Sequence, residues 1–275
     1  MKVDYIIAGG QKCGTTALHT FLSKHPKVIV SNPKETDYFN YDHSFSKGTG
    51  YYHSFFKNRP LLASLRGFKY LETSPSYING NLFSDTLVTA NRIYDYNPDI
   101  KIICLVRNPI DRAYSAWNMF KHRHENSNKN WWIDWFSKRV ETVMPKIKKR
   151  SKKSYQSFNF FINEEIEAIN ENIIIECPVL ENGKYVDYLK DFKTVFGENL
   201  LIIQNENLNE NTPSQLKFIC EFLEIKPISW EFTKDKKIFT GNYDKNISVD
   251  TKRVLNKYYK EANKDLVEIT GINYL

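Results

Sequence analysis

The sequence contains no uninterrupted run of about 18 apolar residues and no short apolar segment behind a basic start, so it reads neither as a membrane-spanning chain nor as one led by a secretory signal. Cysteine is scarce. The four present, Cys13, Cys104, Cys177 and Cys220, stand far apart, with no CxxC pair and no zinc-ligand spacing. That excludes a disulfide framework, and reduced thiols fit a cytosolic setting. Acidic residues are in deficit: 39 Lys and Arg against 32 Asp and Glu leave a formal net charge of +7, which favours anionic ligands. A phosphorylated small molecule, an acidic glycan, nucleic acid or an anionic membrane face would each suit that charge. No composition shift divides the chain, and 275 residues suffice for a substantial core. The expectation is one domain over 1–275, with a helical and basic insertion at about 121–155.

Glycine is concentrated where it matters. Tyr5 to Leu18 reads YIIAGGQKCGTTAL: an apolar run enters a glycine-bearing loop with one lysine, then two threonines and a helical pattern. Ile6 and Ile7 end a buried strand, Gly9, Gly10 and Gly14 permit a tight turn, and Thr15 opens a helix whose first N–H groups attract an anion. A nucleotide triphosphatase loop needs G-x-x-x-x-G-K-[ST], with lysine after the last glycine. Gly9 and Gly14 keep that spacing, but Thr15 stands at the lysine position and Lys12 lies inside the loop, beside a 5′-phosphate. An unliganded strand-to-helix turn is the plain alternative.

A second segment, Lys101 to Phe120, reads KIICLVRNPIDRAYSAWNMF: a buried strand over Ile102 to Val106, a turn at Pro109, and a helix with proline near its first position. Arg107 therefore emerges at the carboxyl end of a strand, the edge at which open α/β sheets bind ligands. An arginine there grips a phosphate bidentately or makes a surface ion pair. Ser115, about two helical turns on, can aim its hydroxyl at the same place. Arg112 faces the ligand or pairs with Asp111 or Asp99, and Cys104 reads as a small core residue.

Together these segments resemble the sulfotransferases that use 3′-phosphoadenosine 5′-phosphosulfate (PAPS), nearest to the heparan-type and bacterial carbohydrate enzymes. The resemblance implies an α/β, P-loop-like fold with a central parallel sheet flanked by helices. It makes Gln11, Lys12, Cys13, Gly14, Thr15 and Thr16 the loop for the donor's 5′-phosphosulfate. Arg107 and Ser115, within the R-[DN]-P-x-x-R-x-x-S pattern of Arg107, Asn108, Pro109, Arg112 and Ser115, would take its 3′-phosphate. Gly183, Lys184 and Tyr185 fall where the family has a G-x-Y motif, which adds Tyr185 to the donor side.

In Val28 to Asn40, VIVSNPKETDYFN, the residues Lys34, Glu35, Tyr38 and Phe39 resemble the family's K-E-P-H-[FY]-F segment, with Thr36 and Asp37 in place of its proline and histidine. The glutamate of that segment takes the acceptor's proton, so Glu35 is the expected general base, with Lys34 and Asp37 on the acceptor side. Taken alone, Lys34 and Glu35 also read as a solvated surface pair. Tyr70 to Ile78, YLETSPSYI, resembles an E-K-[ST]-P-x-Y segment along the acceptor cleft, which makes Glu72, Ser74 and Tyr77 acceptor residues and sets Thr73 in place of a lysine. A histidine base is the competing assignment, but His19 and His25 sit in and just after the first helix and read as structural or exposed.

The expected chemistry is in-line transfer from PAPS to a carbohydrate, with adenosine 3′,5′-bisphosphate (PAP) leaving, Lys12 neutralising charge on the bridging oxygen, and no metal required. Positioning and charge stabilisation dominate such a transfer by analogy with phosphoryl transfer. The acceptor is expected to be a polysaccharide, oligosaccharide or glycolipid, with no nucleic acid partner, and peripheral contact with a membrane stays open. A soluble cytoplasmic enzyme of bacterial type is expected. The rivals are a P-loop kinase or nucleotide triphosphatase and a non-catalytic binder of acidic glycan. The run Lys146 to Lys153 reads as a solvated segment, and Trp131, Trp132 and Trp135 as core or sugar-stacking residues. Within Lys234 to Ser248, Lys236, Lys237 or Lys245 would close over the donor.

Overall fold

The structure, a computed structural model, describes residues 1–57, 60–63, 65–78, 85–128, 130–137, 146–230 and 247–274. Lys236, Lys237 and Lys245 lie outside the described residues, as does the side chain of Trp135. Seven strands are present among the described residues: β1 (Tyr5–Gly9), β2 (Val28–Val30), β3 (Lys69–Thr73), β4 (Lys101–Val106), β5 (Ile147–Lys148), β6 (Ile174–Ile175) and β7 (Leu200–Gln204).

The main sheet is parallel throughout, in the order β2-β3-β1-β4-β7. Its central strands are apolar on both faces: β1 is buried along its whole length, and Ile102 to Val106 of β4 are fully buried. Parallel sheets covered by helices on both sides call for such continuous apolar strands, where a sheet with one wet face would alternate. The strand order reverses at β1, between β3 and β4. The carboxyl ends at that reversal are where a sheet of this kind opens a crevice.

Two compact units make up the chain: Met1–Arg107 with Asp187–Thr240, and Asn108–Val186 with Gly241–Leu275. The first holds the main sheet and helix α1 (Thr15–Leu22). The second holds the helices Pro109–Asn126, Phe158–Asn170 and Val249–Thr270 and the short parallel pair β5 and β6. One boundary between the units falls at Arg107 and Asn108.

Capping explains the helix starts. Asn108 Oδ1 accepts from the Ile110 and Asp111 amides at 3.0 and 3.2 Å, and Pro109 occupies a first-turn position where no N–H is needed. Helix Val249–Thr270 begins on Ser248 and ends on Gly271 at φ 73°.

Two expectations change inside the second unit. Arg112 does not lie on the helix surface: it is fully buried and donates to the Val179 carbonyl, because its helix turns that face, with Ala113 and Ala116, into the core. Arg150, read as part of a solvated run, is also buried, its guanidinium 2.6 Å from Glu165 Oε2 and 2.7 Å from the Phe161 carbonyl. Lys149, Lys152 and Lys153 around it are exposed. Trp132 is core.

Candidate functional site

The loop between β1 and α1 is shaped by two left-handed residues, Lys12 at φ 65° and Gly14 at φ 92°. Gly14 is also the N-cap of α1 and contributes no side chain to it, so the first amides of the helix aim at the loop's concavity. Three neighbours fix the loop from outside. The Gly10 amide donates to the Leu105 carbonyl of β4 at 2.6 Å. Arg107 Nη1 donates to the Lys12 carbonyl at 3.2 Å. Asn205 Nδ2 donates to the Cys13 carbonyl at 3.0 Å, while its Oδ1 accepts from Asn209 at 2.9 Å and so fixes the amide's orientation. A Cβ on Gly14 would stand 2.3 Å from Asn205 Nδ2. Glycine is therefore demanded twice here, by φ and by the approach of Asn205.

Thr15 is buried and Thr16 half-buried at the start of α1. Lys34, in the loop after β2, reaches Thr16 Oγ1 at 3.2 Å and Glu35 Oε1 at 2.7 Å. The Glu35 side chain remains about half exposed, at 51%. One lysine thus ties the proposed base to the glycine loop.

The structure places Glu72, Ser74 and Tyr77 below the surface, at 0, 0 and 1% exposure. Their polar atoms are occupied by each other and by the 36–39 backbone. Ser74 Oγ, Thr36 Oγ1 and Tyr77 Oη donate to Glu72 Oε1 at 2.6, 2.5 and 2.7 Å, and Tyr52 Oη donates to Oε2 at 2.6 Å. Burial raises the Glu72 carboxyl above the ordinary carboxylate range, against the opposing effect of these hydrogen bonds. Burial and the Glu72 charge push the Tyr52 and Tyr77 phenols well up, which keeps both hydroxyls protonated. Asp37, at φ 48°, accepts from Ser76 Oγ at 2.6 Å.

Ser115 and Tyr185 belong to the second unit, where both are buried. Tyr185 follows Gly183, whose added Cβ would lie 2.7 Å from Tyr259 Oη.

Sequence reasoning passed over two residues, Asn205 and Tyr52. Asn205 is the first residue after β7, at the same sheet edge as Arg107 after β4, and its polarity at a strand end was the available signal. Tyr52 lies in a short helix, Gly48–His53, with no motif of its own. His19, expected to be structural or exposed, is half-buried. Its Nδ1 is 2.9 Å from Thr73 Oγ1, and burial first, then the charge of Lys34, pull its pKa down to about 4, with Glu35 acting in the opposite sense. His25 is buried and structural: its Nε2 meets the Lys226 carbonyl at 3.0 Å. Among the described residues, no group of three His, Cys, Asp or Glu is placed to hold a metal ion, and no helix is long and apolar enough to cross a membrane.

Comparison with known proteins identifies a family. Residues 2–265 match the sulfotransferase domain family. The human bifunctional heparan sulfate N-deacetylase/N-sulfotransferase 2 is 27% identical over 233 residues, which is 81% of this chain and 22% of the relative. The mouse bifunctional heparan sulfate N-deacetylase/N-sulfotransferase 1 is 34% identical over 126 residues, 44% of this chain and 13% of the relative. The chain therefore spans under a quarter of the length of these curated relatives. Among solved structures, a sulfotransferase from Alicyclobacillus acidocaldarius superposes with a TM-score of 0.67 at 22% identity, covering 99% of this chain and 97% of that one. Mouse sulfotransferase SULT7A1 complexed with PAP gives 0.51 at 14% identity, covering 95% and 85%.

Proposed function

Because the chain belongs to the sulfotransferase domain family, we propose that it transfers a sulfuryl group from PAPS to a hydroxyl or amine of a carbohydrate acceptor. The observation that carries this reading is the chain of contacts from Thr16 through Lys34 to Glu35, which sets an exposed carboxylate beside the glycine loop. The loop amides, Thr15 and Thr16 hold the donor's 5′-phosphate, with Gln11, Cys13 and Gly14 giving the loop its form. Arg107 and, from the sequence motif, Ser115 take the 3′-phosphate, and Tyr185 adds to the donor side.

In the transfer, Glu35 takes the proton from the acceptor as the new bond to sulfur forms. The bond from sulfur to the bridging oxygen breaks on the opposite side, and PAP departs with Lys12 neutralising the charge that grows on that oxygen. No step in this scheme draws on a metal ion. Lys34 both orients Glu35 and, with Asp37, faces the acceptor. Glu72, Ser74 and Tyr77 support the acceptor side from beneath, through the loop they hold, in place of touching the sugar. The heparan sulfate relatives and the formal net charge of +7 favour an acidic glycan.

Calorimetric titration tests the donor half. The reading predicts binding of PAP that is independent of Mg²⁺ and much tighter than that of 5′-AMP. Preference for Mg-ATP would overturn it in favour of a kinase, and no binding of PAP would favour a glycan-binding protein without transfer.

A further inference from the structure

Glu35 sits between two pinned neighbours. On its amino side, the Lys34 carbonyl accepts from Ser31 Oγ at 3.1 Å. On its carboxyl side, four successive amides are held by two hydroxyl oxygens: Thr36 and Asp37 donate to Ser74 Oγ at 3.1 and 3.2 Å, and Tyr38 and Phe39 donate to Tyr77 Oη at 3.1 and 3.4 Å. A hydroxyl that accepts from the backbone must send its own proton elsewhere. Both send it to Glu72 Oε1, which also takes the Thr36 hydroxyl, at 2.5–2.7 Å.

No Lys or Arg pairs with Glu72 among the contacts of the described residues; hydroxyls alone satisfy the carboxylate at complete burial. A buried carboxylate held in this way is costly unless each of its bonds is made, so the arrangement has one geometry and little slack. We infer that Glu72 is a positioning residue for the transfer: by fixing the proton direction of Ser74 and Tyr77 it turns both into acceptors for the 36–39 amides and so sets where the Glu35 carboxylate stands. This rests on Glu35 being the base. A displacement of about 1 Å at a reacting group can cost on the order of 10²-fold in rate, so a two-tier clamp of this kind is felt in turnover before it is felt in donor binding.

Glu72 itself is a poor target for a single test, since its loss strands four hydroxyls in the core. Ser74→Ala and Tyr77→Phe each remove one hydroxyl and leave the strand and its packing in place. Hydrogen exchange reads the clamp without reference to catalysis. Ser74→Ala is expected to speed exchange of the Thr36 and Asp37 amides by roughly 10-fold or more, with Tyr38 and Phe39 slower to respond, and Tyr77→Phe to give the reverse pattern. Unchanged exchange at all four amides would overturn the clamp.

Turnover then reads the link to Glu35. In the wild-type background, each variant is expected to lower kcat by roughly 10- to 100-fold with PAP affinity within about 2-fold; in a Glu35→Gln background it should lower kcat no further. Equal losses in both backgrounds, or loss of PAP binding in step with kcat, would overturn the positioning role. Wild-type turnover in Glu35→Gln alone would sink the base assignment and with it the catalytic part of the inference, while the exchange pattern would still decide whether Glu72 holds the loop.

Discussion

Lys34 Nζ lies 2.7 Å from Glu35 Oε1, and the same ammonium lies 3.2 Å from Thr16 Oγ1 at the start of α1. A half-exposed ion pair contributes little stability by itself. Its value here is geometric: it orients a carboxylate that would otherwise swing freely in water and sets it against the glycine loop. Lys34→Met is expected to lower kcat by roughly 10-fold with unchanged thermal stability, as steady-state turnover and a melting curve would show.

Gly14 and Asn205 give a paired prediction. Gly14→Ala must hold alanine at φ 92°, a strain of roughly 1–2 kcal/mol, and must push Asn205 Nδ2 away from a Cβ at 2.3 Å. Asn205→Ala leaves the Cys13 carbonyl without that donor, at about 1–3 kcal/mol. The double substitution relieves the clash and should cost less than the two single losses together. Chemical denaturation of the four proteins, with PAP titration of each, measures the coupling; strict additivity would contradict it.

His19 supplies the pH dependence. Its pKa falls from an ordinary 6.5 to about 4 in the folded protein, so between those values the unfolded chain binds the extra proton. The neutral imidazole therefore stabilises the fold fully above about 6.5, and that contribution is lost as pH falls toward 4. His19→Gln should flatten the rise of stability with pH across that window. In an NMR titration, Lys34→Met should move the His19 pKa up, because the lysine charge lowers it, and Glu35→Gln should move it down.

In the second unit, Arg150 and Glu165 form a fully buried pair. Arg150→Met leaves the Glu165 charge uncompensated and should destabilise by about 3–5 kcal/mol. Replacing exposed Lys152 by Met should change stability by less than about 0.5 kcal/mol. Denaturation of the two variants separates the buried member of the basic run from its solvated neighbours.

Much of this was readable from local pattern. The loop from Gly9 to Gly14 was legible because a glycine cluster between an apolar run and a helical period has few other uses, and β4 with its proline-opened helix was legible for the same reason. A central parallel sheet follows from the resemblance of those two segments, and the structure has one. What the pattern could not supply is contact across long separations. Asn205 meets Cys13 only because β7 lies beside β4. Glu72, Ser74 and Tyr77 were legible as a motif, but their burial depends on Tyr52 and Thr36 arriving from elsewhere in the chain. Arg150 looks like a surface cation in sequence, and Arg112 like a ligand-facing or surface-paired one, because composition carries no sign of which carbonyl or carboxylate will receive them.

The decisive measurement is transfer of labelled sulfate from PAPS to a panel of glycans by the wild-type protein and by Glu35→Gln, with PAP affinity measured on both. With Glu35 as the proton acceptor, the expected result is transfer to at least one glycan by the wild type, a fall of roughly 10²- to 10⁴-fold in kcat for Glu35→Gln, and equal PAP affinity in the two. Wild-type turnover in Glu35→Gln, or PAP binding without transfer to any glycan, would contradict it.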